Sequence, residues 1–315
     1  MQRKTPFPYG SGGAFLRVPP AQAPRRFGLA GIPWDSSTTN RPGARSGPSA
    51  VRQSSLMLGD AIHPFFDLSP IEHLEDHGDL VLPNTSLQAM RAALEPQAES
   101  LLDRQHMVWL GGDHSVTLPL LRAYRRHFGR PLAVIHFDAH CDAWPDHFGE
   151  PSGHGTWAHE ALLEALVEPR GFVQLGIRSP ADRAYRERIS DEGGLIFDAR
   201  SLRGLESPAQ LQPVIDAVAA RLAELDHPPV YLTLDIDCLD PAFAPGTGTP
   251  EPAGLSSGQV MSLLEGWADL PFVGMDCVEV APAYDHAEIT SLAAAHFVWT
   301  YLCGRLRARK GPGVD

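Results

Sequence analysis

Short apolar runs recur along the chain, each ending in polar residues and each followed by an amphipathic stretch, and this alternation limits the possible folds more than any other feature. The runs Phe27–Ile32, His106–Leu110, Leu132–Phe137, Val173–Ile177, Leu195–Phe197, Val230–Leu234 and Phe272–Val278 predict strands. Most are continuously apolar instead of alternating, the mark of a sheet covered on both faces. Amphipathic stretches near residues 86–104, 115–128, 157–167, 208–225, 257–266 and 287–306 predict helices, and Pro48 reads as the first turn of another. Strand–helix–strand units of this kind predict an α/β fold of three layers, helices on either side of a central, mostly parallel sheet. The dense Pro/Gly stretch 241–254 follows a strand directly, so it reads as a functional loop and not a domain boundary. Residues 27–315 are therefore expected to form one domain. Residues 1–26, rich in Pro, Gly, Ala and Arg, are expected to form an N-terminal arm on the surface or on a neighbouring subunit.

Composition closes several classes. A net charge of −12 argues against nucleic acid as a partner, since phosphate recognition needs a basic face, and it suits cations. Hydrophobic residues make up 43% of the chain and charged ones 20%, enough apolar material for a sizeable core. Cys141, Cys238, Cys277 and Cys303 form no CxxC pair and read as reduced thiols of a cytoplasmic protein. No apolar run approaches the roughly 18 residues that span a bilayer, so no membrane association is expected. The opening Met-Gln-Arg-Lys runs into Pro, Tyr and Gly, unlike a signal peptide.

Ligands of a parallel sheet bind beyond the carboxyl ends of its strands, and the polar residues of interest fall there. Gly111-Gly112-Asp113-His114-Ser115 follows one strand, Asp138-Ala139-His140-Cys141-Asp142 a second, and Asp235-Ile236-Asp237 a third. Glu279 ends a fourth. In extended chain, alternate residues share a side, so Asp138, His140 and Asp142 point together, as do Asp235 and Asp237. With His114 this gathers four carboxylates and two imidazoles at one mouth, a set that repels itself unless cations neutralise it. Two divalent ions would balance the charge. Oxygen-rich ligation with one imidazole per ion suits manganese, nickel, cobalt or iron better than structural zinc. Cys141 and Cys238, standing between ligands, should point into the core, and Asp240 before Pro241 should make a turn. Asp113 would either orient His114 or cap the following helix.

These motifs resemble the ureohydrolases, the family of arginase and agmatinase, with the agmatinase branch nearest. The resemblance is carried by residues 111–115, 137–142, 235–250 and 278–285, by Ser-Gly-His-Gly-Thr at 152–156, and upstream by Gly31-Ile-Pro-Trp-Asp and the 41–48 segment. It runs from about residue 28 to 303. The resemblance implies an arginase-like fold and two divalent metal ions per chain, typically manganese, with nickel in some members. One ion is implied on His114, Asp138, Asp142 and Asp235, the other on Asp138, His140, Asp235 and Asp237, with Asp138 and Asp235 bridging. Glu279 matches the carboxylate that binds the guanidinium, and His154 the mobile proton shuttle. Trimers or hexamers are implied, homo-oligomeric in the usual case.

Chemistry accounts for such a set. A guanidinium is resonance-stabilised, so water attacks it poorly; metal coordination lowers the pKa of water toward ~7, and two metals would fix a shared hydroxide. Asp142 would accept a hydrogen bond from it, Glu279 would hold the planar cation, and His154 would protonate the leaving amine. The expected products are urea, or a urea derivative, and an amine. The resemblance implies that the segment 143–153 lines the substrate tail: Trp144, Asp146 and Glu150 lie in it, Trp157 just beyond, and it holds no Arg or Lys. This favours an amine-tailed guanidine such as agmatine, with Trp144, Asp146 and Trp157 as substrate-binding residues. Asp146 and Glu150 read equally as solvated loop residues. Cys141 where Thr is usual, the bulk of Trp144 and Trp157, and Ser152-Gly153 before the histidine depart from the agmatinase pattern. They keep open another guanidine, whether a guanidino acid, guanidine itself, or an N-alkylated or biguanide compound of the metformin type. Two readings of other classes also stand: a one-zinc deacetylase of related fold, and a non-catalytic subunit that pairs with an active paralogue in a hetero-oligomer.

Overall fold

Every strand of the sheet runs in the same direction. The structure, a computed structural model, describes residues 13–308. In chain order the strands are β1 (Phe27–Gly31), β2 (Leu74–Asp79), β3 (His106–Leu110), β4 (Leu132–Phe137), β5 (Val167–Leu175), β6 (Leu195–Phe197), β7 (Val230–Asp235) and β8 (Phe272–Val278). They form one eight-stranded sheet in the order β2-β1-β3-β8-β7-β4-β5-β6. The helices are α1 (Gly47–Ser54), α2 (Leu87–Leu102), α3 (Thr117–Phe128), α4 (Trp157–Leu163), α5 (Arg183–Arg186), α6 (Arg188–Asp191), α7 (Pro208–Glu224), α8 (Ser257–Gly266) and α9 (Ile289–Arg307).

The period of two along each strand divides the core into two layers. Val108, Ile135, Leu232 and Met275 face α1, α7, α8 and α9, while Met107, Trp109, Val134 and Tyr231 face α2, α3, α4 and α6. This is the expected α/β/α sandwich, with a wholly parallel sheet. Ser207 with Gln210 and Ser256 with Gln259 form capping boxes that start α7 and α8, satisfying amide groups a helix start leaves free. All four cysteines are free and buried. Among the described residues no helix is long and apolar enough to cross a membrane.

Three local features depart from the sequence reading. First, β2 has the sequence Leu-Glu-Asp-His-Gly-Asp and was invisible as a strand; it sits at the sheet edge, paired only to β1. Two of its carboxylates, Asp76 and Asp79, clasp the buried guanidinium of Arg52 from α1. Second, β5 starts at Val167, six residues before the expected Val173, because Pro169 and Gly171 obscure its first half and the pairing with β4 slips between Leu132 and Val134. The helix expected over 157–167 accordingly ends at Leu163. Third, part of the expected arm is built into the core: Phe15, Leu16 and Val18 are buried there, and the Phe15 amide donates to Asp76 Oδ2 at 2.7 Å. Residues 1–12 of that arm lie outside the described residues.

Candidate active site

The four strands whose ends carry the candidate residues are contiguous in the order β3-β8-β7-β4. β8 therefore inserts Glu279 between the strands that deliver His114 and Asp235. Close packing at the start of this rim explains its glycines: a Cβ on Gly112 would lie 1.6 Å from the Trp34 carbonyl oxygen, which accepts from the Asp113 amide. Asp113 settles as a cap, its Oδ1 accepting from the Ser115 amide at 3.1 Å and its Oδ2 from the Ser37 amide at 2.9 Å.

Three carboxylates converge on one imidazole nitrogen. His114 Nδ1 lies 3.1 Å from Asp138 Oδ2, 3.1 Å from Asp142 Oδ2 and 3.2 Å from Asp235 Oδ2. A second group adjoins it: His140 Nδ1 lies 3.2 Å from Asp138 Oδ1 and 3.1 Å from Asp237 Oδ2. All six expected metal-binding residues thus meet, in two groups that share Asp138. Asp235 differs from the expected second bridge, since its Oδ2 faces His114 while its Oδ1 accepts from the Asp237 amide at 2.8 Å.

Partners behind these groups fix their tautomers. The Asp276 carboxylate accepts from the hydroxyls of Thr117, Tyr231 and Thr233. The Thr233 hydroxyl hydrogen being spent there, its oxygen accepts from His114 Nε2–H at 2.8 Å, so that loss of the Nδ1 proton would turn a lone pair toward the carboxylates. Gln174 Nε2 donates to the Cys141 carbonyl at 2.8 Å and to His136 Nδ1 at 3.1 Å. His136 therefore keeps its proton on Nε2 and donates it to Asp138 Oδ2 at 2.7 Å. Imidazoles and carboxylates in metal sites are commonly oriented by such outer partners. Arg178 holds the adjacent loops, its guanidinium donating to the carbonyls of Gly176, Asp237, Cys238, Leu239, Glu251 and Pro252. His136, Gln174, Thr233, Asp276 and Arg178 were missed by the sequence reading, because residues inside strands or in turns without a local motif carry no pattern that marks them.

Glu279 Oε1 accepts from the His114 amide and meets His154 Nδ1, each at 2.9 Å, whereas Oε2 is buried with no hydrogen-bond partner among the described residues. His154, expected on a mobile loop, is 7% exposed and doubly held, its Nε2 lying 3.1 Å from the Thr39 amide and 2.8 Å from the Thr39 hydroxyl. Asp142 and Glu279 both have left-handed backbones, with φ +50 and +63. Strained conformations of non-glycine residues gather at functional positions.

The expected tail-lining residues divide. Trp144 packs beside Cys141, Ala143 and Ile177, with its ring 5.6 Å from that of His147. Asp146 is exposed and closes its own turn by accepting from the Gly149 amide at 3.0 Å. Trp157 is wholly buried and donates its indole N–H to Asp142 Oδ2 at 2.6 Å, so it stands behind the acidic cluster and not along a substrate path. Cys141 and Cys238 point into core, as expected, and Asp240 accepts the Ala242 amide of its own turn, with its other oxygen taking the Ala253 amide across the loop.

The sequence profile described as the arginase family matches residues 25–304. The chain belongs to this family. It is an arginase-family ureohydrolase and hence an enzyme. It is 40% identical over 297 residues to an agmatinase of Chromobacterium violaceum, covering 91% of this chain and 85% of that protein. To an agmatinase of Salmonella paratyphi B it is 43% identical over 292 residues, 89% of each. Among solved structures, a hypothetical agmatinase from Burkholderia thailandensis superposes with TM-score 0.84 at 37% identity, covering 93% of this chain and 90% of that one. The proclavaminate amidino hydrolase of Streptomyces clavuligerus gives TM-score 0.86 at 34% identity, covering 96% and 99%.

The electrostatics of this ureohydrolase favour cations between its acidic residues. Burial opposes charge on His114, but contacts with Asp138, Asp142 and Asp235 outweigh it and hold the imidazole well above the usual histidine range. Burial, Asp237 and Asp138 together push Asp235 well above the carboxylate range. His114 Nδ1 is buried without a well-aligned hydrogen bond although three carboxylates surround it. A divalent cation would replace the imidazole proton and satisfy all four groups, so the residues present fit a metal centre. His136 also lies close enough to the first group to be counted a ligand, but its Nε2 proton is already committed to Asp138. Burial pushes His154 down, yet Glu279 more than reverses this and raises it to about 9. Burial, then Glu279, raises Asp113 to about 7.

Proposed function

We propose that this ureohydrolase cleaves an amine-tailed guanidine of the agmatine type to urea and an amine, using two divalent cations, with manganese the first choice and nickel or cobalt possible substitutes. The observation that carries the reading is the free Oε2 of Glu279, a buried carboxylate oxygen beside the His/Asp cluster. A planar guanidinium supplies the N–H donors that oxygen lacks. Cations held by His114, Asp138, Asp142 and Asp235, and by Asp138, His140 and Asp237, would supply charge neutralisation and Lewis-acid activation of water.

The chain's own residues do the rest. Glu279, fixed through Oε1 by the His114 amide, would hold the cation edge-on and keep it from rotating. Asp142, held by Trp157, would accept a hydrogen bond from the attacking water and aim it. His154 would hand a proton to the departing nitrogen. Thr39 offers His154 Nε2 both an acceptor, its hydroxyl, and a donor, its amide, so both protonation states of the shuttle find a partner.

The tail is chosen by the loops, since relatives named agmatinase and proclavaminate amidino hydrolase carry the same fold. An acidic, aromatic 143–153 segment supports a cationic tail. A second reading has one observation in its favour. Arg41, stacked over Tyr284 at 5.3 Å, lies on the exposed loop whose amide meets the Gly248 carbonyl, and Gly248 borders Glu279 Oε2, so a guanidino acid would find a basic partner there. Urea release from agmatine, guanidinobutyrate, guanidine and biguanides, measured with each metal, separates them. Agmatine in clear excess supports the proposal; equal or faster turnover of the acid overturns the amine tail. Absence of turnover with every metal would favour a non-catalytic subunit, and full activity with one ion per chain would favour the deacetylase reading. A small cationic substrate, a homotrimer or homohexamer, and a cytoplasmic location complete the proposal.

A further inference from the structure

Asp142 is gripped at both ends by the start of α4. Its backbone carbonyl accepts from the amides of Ala158 and His159 at 3.1 and 3.4 Å, and its carboxylate accepts the indole N–H of Trp157. The oxygen that takes this hydrogen bond, Oδ2, is also the one 3.1 Å from His114 Nδ1. We propose that Trp157 is a positioning residue that fixes the rotamer of Asp142 and so selects which of its oxygens a cation meets. The inference rests on the reading of this cluster as a metal centre.

The surroundings of the indole leave it no other task. It is wholly buried, with ring centres 5.0 Å from His114, 4.9 Å from His136 and 5.9 Å from Phe172. An indole N–H only donates, and a bond to a carboxylate is charge-assisted. It occupies one lone pair of Oδ2 and leaves the others for a cation on the His114 side. Stacking against Phe172, a tilted contact with His114 and an edge-on contact with His136 lock the ring, so the donor cannot follow Asp142 if that side chain turns. The left-handed backbone of Asp142, with φ +50, needs such external support. A phenylalanine at 157 would fill the same space and donate nothing.

The test uses chelator-treated full-length protein titrated with manganese by calorimetry, comparing wild type with Trp157→Phe. The expected result is a 10- to 100-fold loss of affinity for one of two ions, the usual effect of removing a partner of a metal ligand, with stoichiometry at the other ion kept. A purely packing role would lower the melting temperature and leave both affinities at wild-type values; that result overturns the proposal. Should Trp157→Phe fail to fold, the wild type still decides. Its Trp157 indole proton, assigned by contacts to the Phe172 ring, should resonate far downfield, exchange slowly and shift on addition of zinc. A fast-exchanging or unmoved resonance overturns the proposal. Failure of the wild type to take up manganese, nickel or cobalt is a separate outcome and removes the metal reading itself, and this inference with it.

Discussion

His154 Nδ1 lies 2.9 Å from Glu279 Oε1, so the proposed proton carrier and the proposed guanidinium anchor are directly hydrogen-bonded. Glu279 therefore has one oxygen committed to the enzyme and one with no hydrogen-bond partner among the described residues. The contact also makes the two residues one electrostatic unit, with consequences for stability as well as for catalysis.

In chelator-treated protein this pair should make stability depend on pH. The His154 value rises from 6.5 unfolded to about 9 folded, so the stabilisation is fully present below pH 6.5 and is lost as pH climbs through 9. The expected size is a few kcal/mol at most. Denaturant unfolding followed between pH 6 and 10 should show this loss in the wild type and a flatter profile in Glu279→Gln. A matching decline in the variant would assign the effect to other groups.

Thr39 should tune the shuttle. Thr39→Val removes the hydroxyl that accepts from protonated His154 and keeps the amide that serves the neutral form. The basic limb of the kcat profile should move to lower pH and kcat should fall about 10-fold, a fraction of the roughly 10²–10⁴-fold that a general acid–base group contributes. Thr39→Ser should restore both. An unchanged pH profile in Thr39→Val would disconnect this residue from proton transfer.

Asp235→Asn should abolish turnover and weaken metal retention, because a carboxylate facing His114 Nδ1 loses its charge. Metal content after dialysis is the measurement. Retention of two ions per chain by the variant would contradict the ligand assignment.

Arg178 acts on the same loops without touching a carboxylate. A lysine has three donors and no planar fork, so Arg178→Lys cannot satisfy the six carbonyls that the guanidinium spans. Metal affinity at the His140–Asp237 group should drop about 10-fold, with a smaller effect at His114. Equal losses at both groups would mean that the arginine supports the rim as a whole.

The Arg52 clasp is structural. Arg52→Ala would leave Asp76 and Asp79 as buried, uncompensated charges and should cost about 3–5 kcal/mol in chemical unfolding. Replacing all three by apolar residues of similar size should restore much of it. A loss under 1 kcal/mol would show that water reaches those carboxylates.

How much of this was legible beforehand follows from where the signal lies. The strands that carry His114, Asp138, Asp235 and Glu279 are apolar because both faces are covered, and alternation with helices then puts their polar ends on one rim. β2 escaped notice because an edge strand whose acidic side chains hold Arg52 has no apolar run to show. The residues that fix tautomers escaped for another reason. Thr233 and His136 sit inside strands, and Asp276 likewise, where nothing local separates a polar residue in a relay from one that is merely tolerated. Trp157 was detected as unusual in bulk, but its direction depended on the loop that turns at Asp142, which sequence spacing does not fix.

The placement of β8 between β3 and β7 sets a length standard. Leu110 pairs with Cys277, and Cys277 with Leu234, so the span from the Glu279 anchor to the acidic cluster is dictated by backbone ladders on both sides of one strand. A slip of a single residue would turn the anchor's side chain to the opposite layer. On the proposed function, the reactive head of a substrate would thus be gauged by the sheet, a part of the molecule that loop variation does not reach. New substrates would arise by redrawing the rim while that gauge stays untouched.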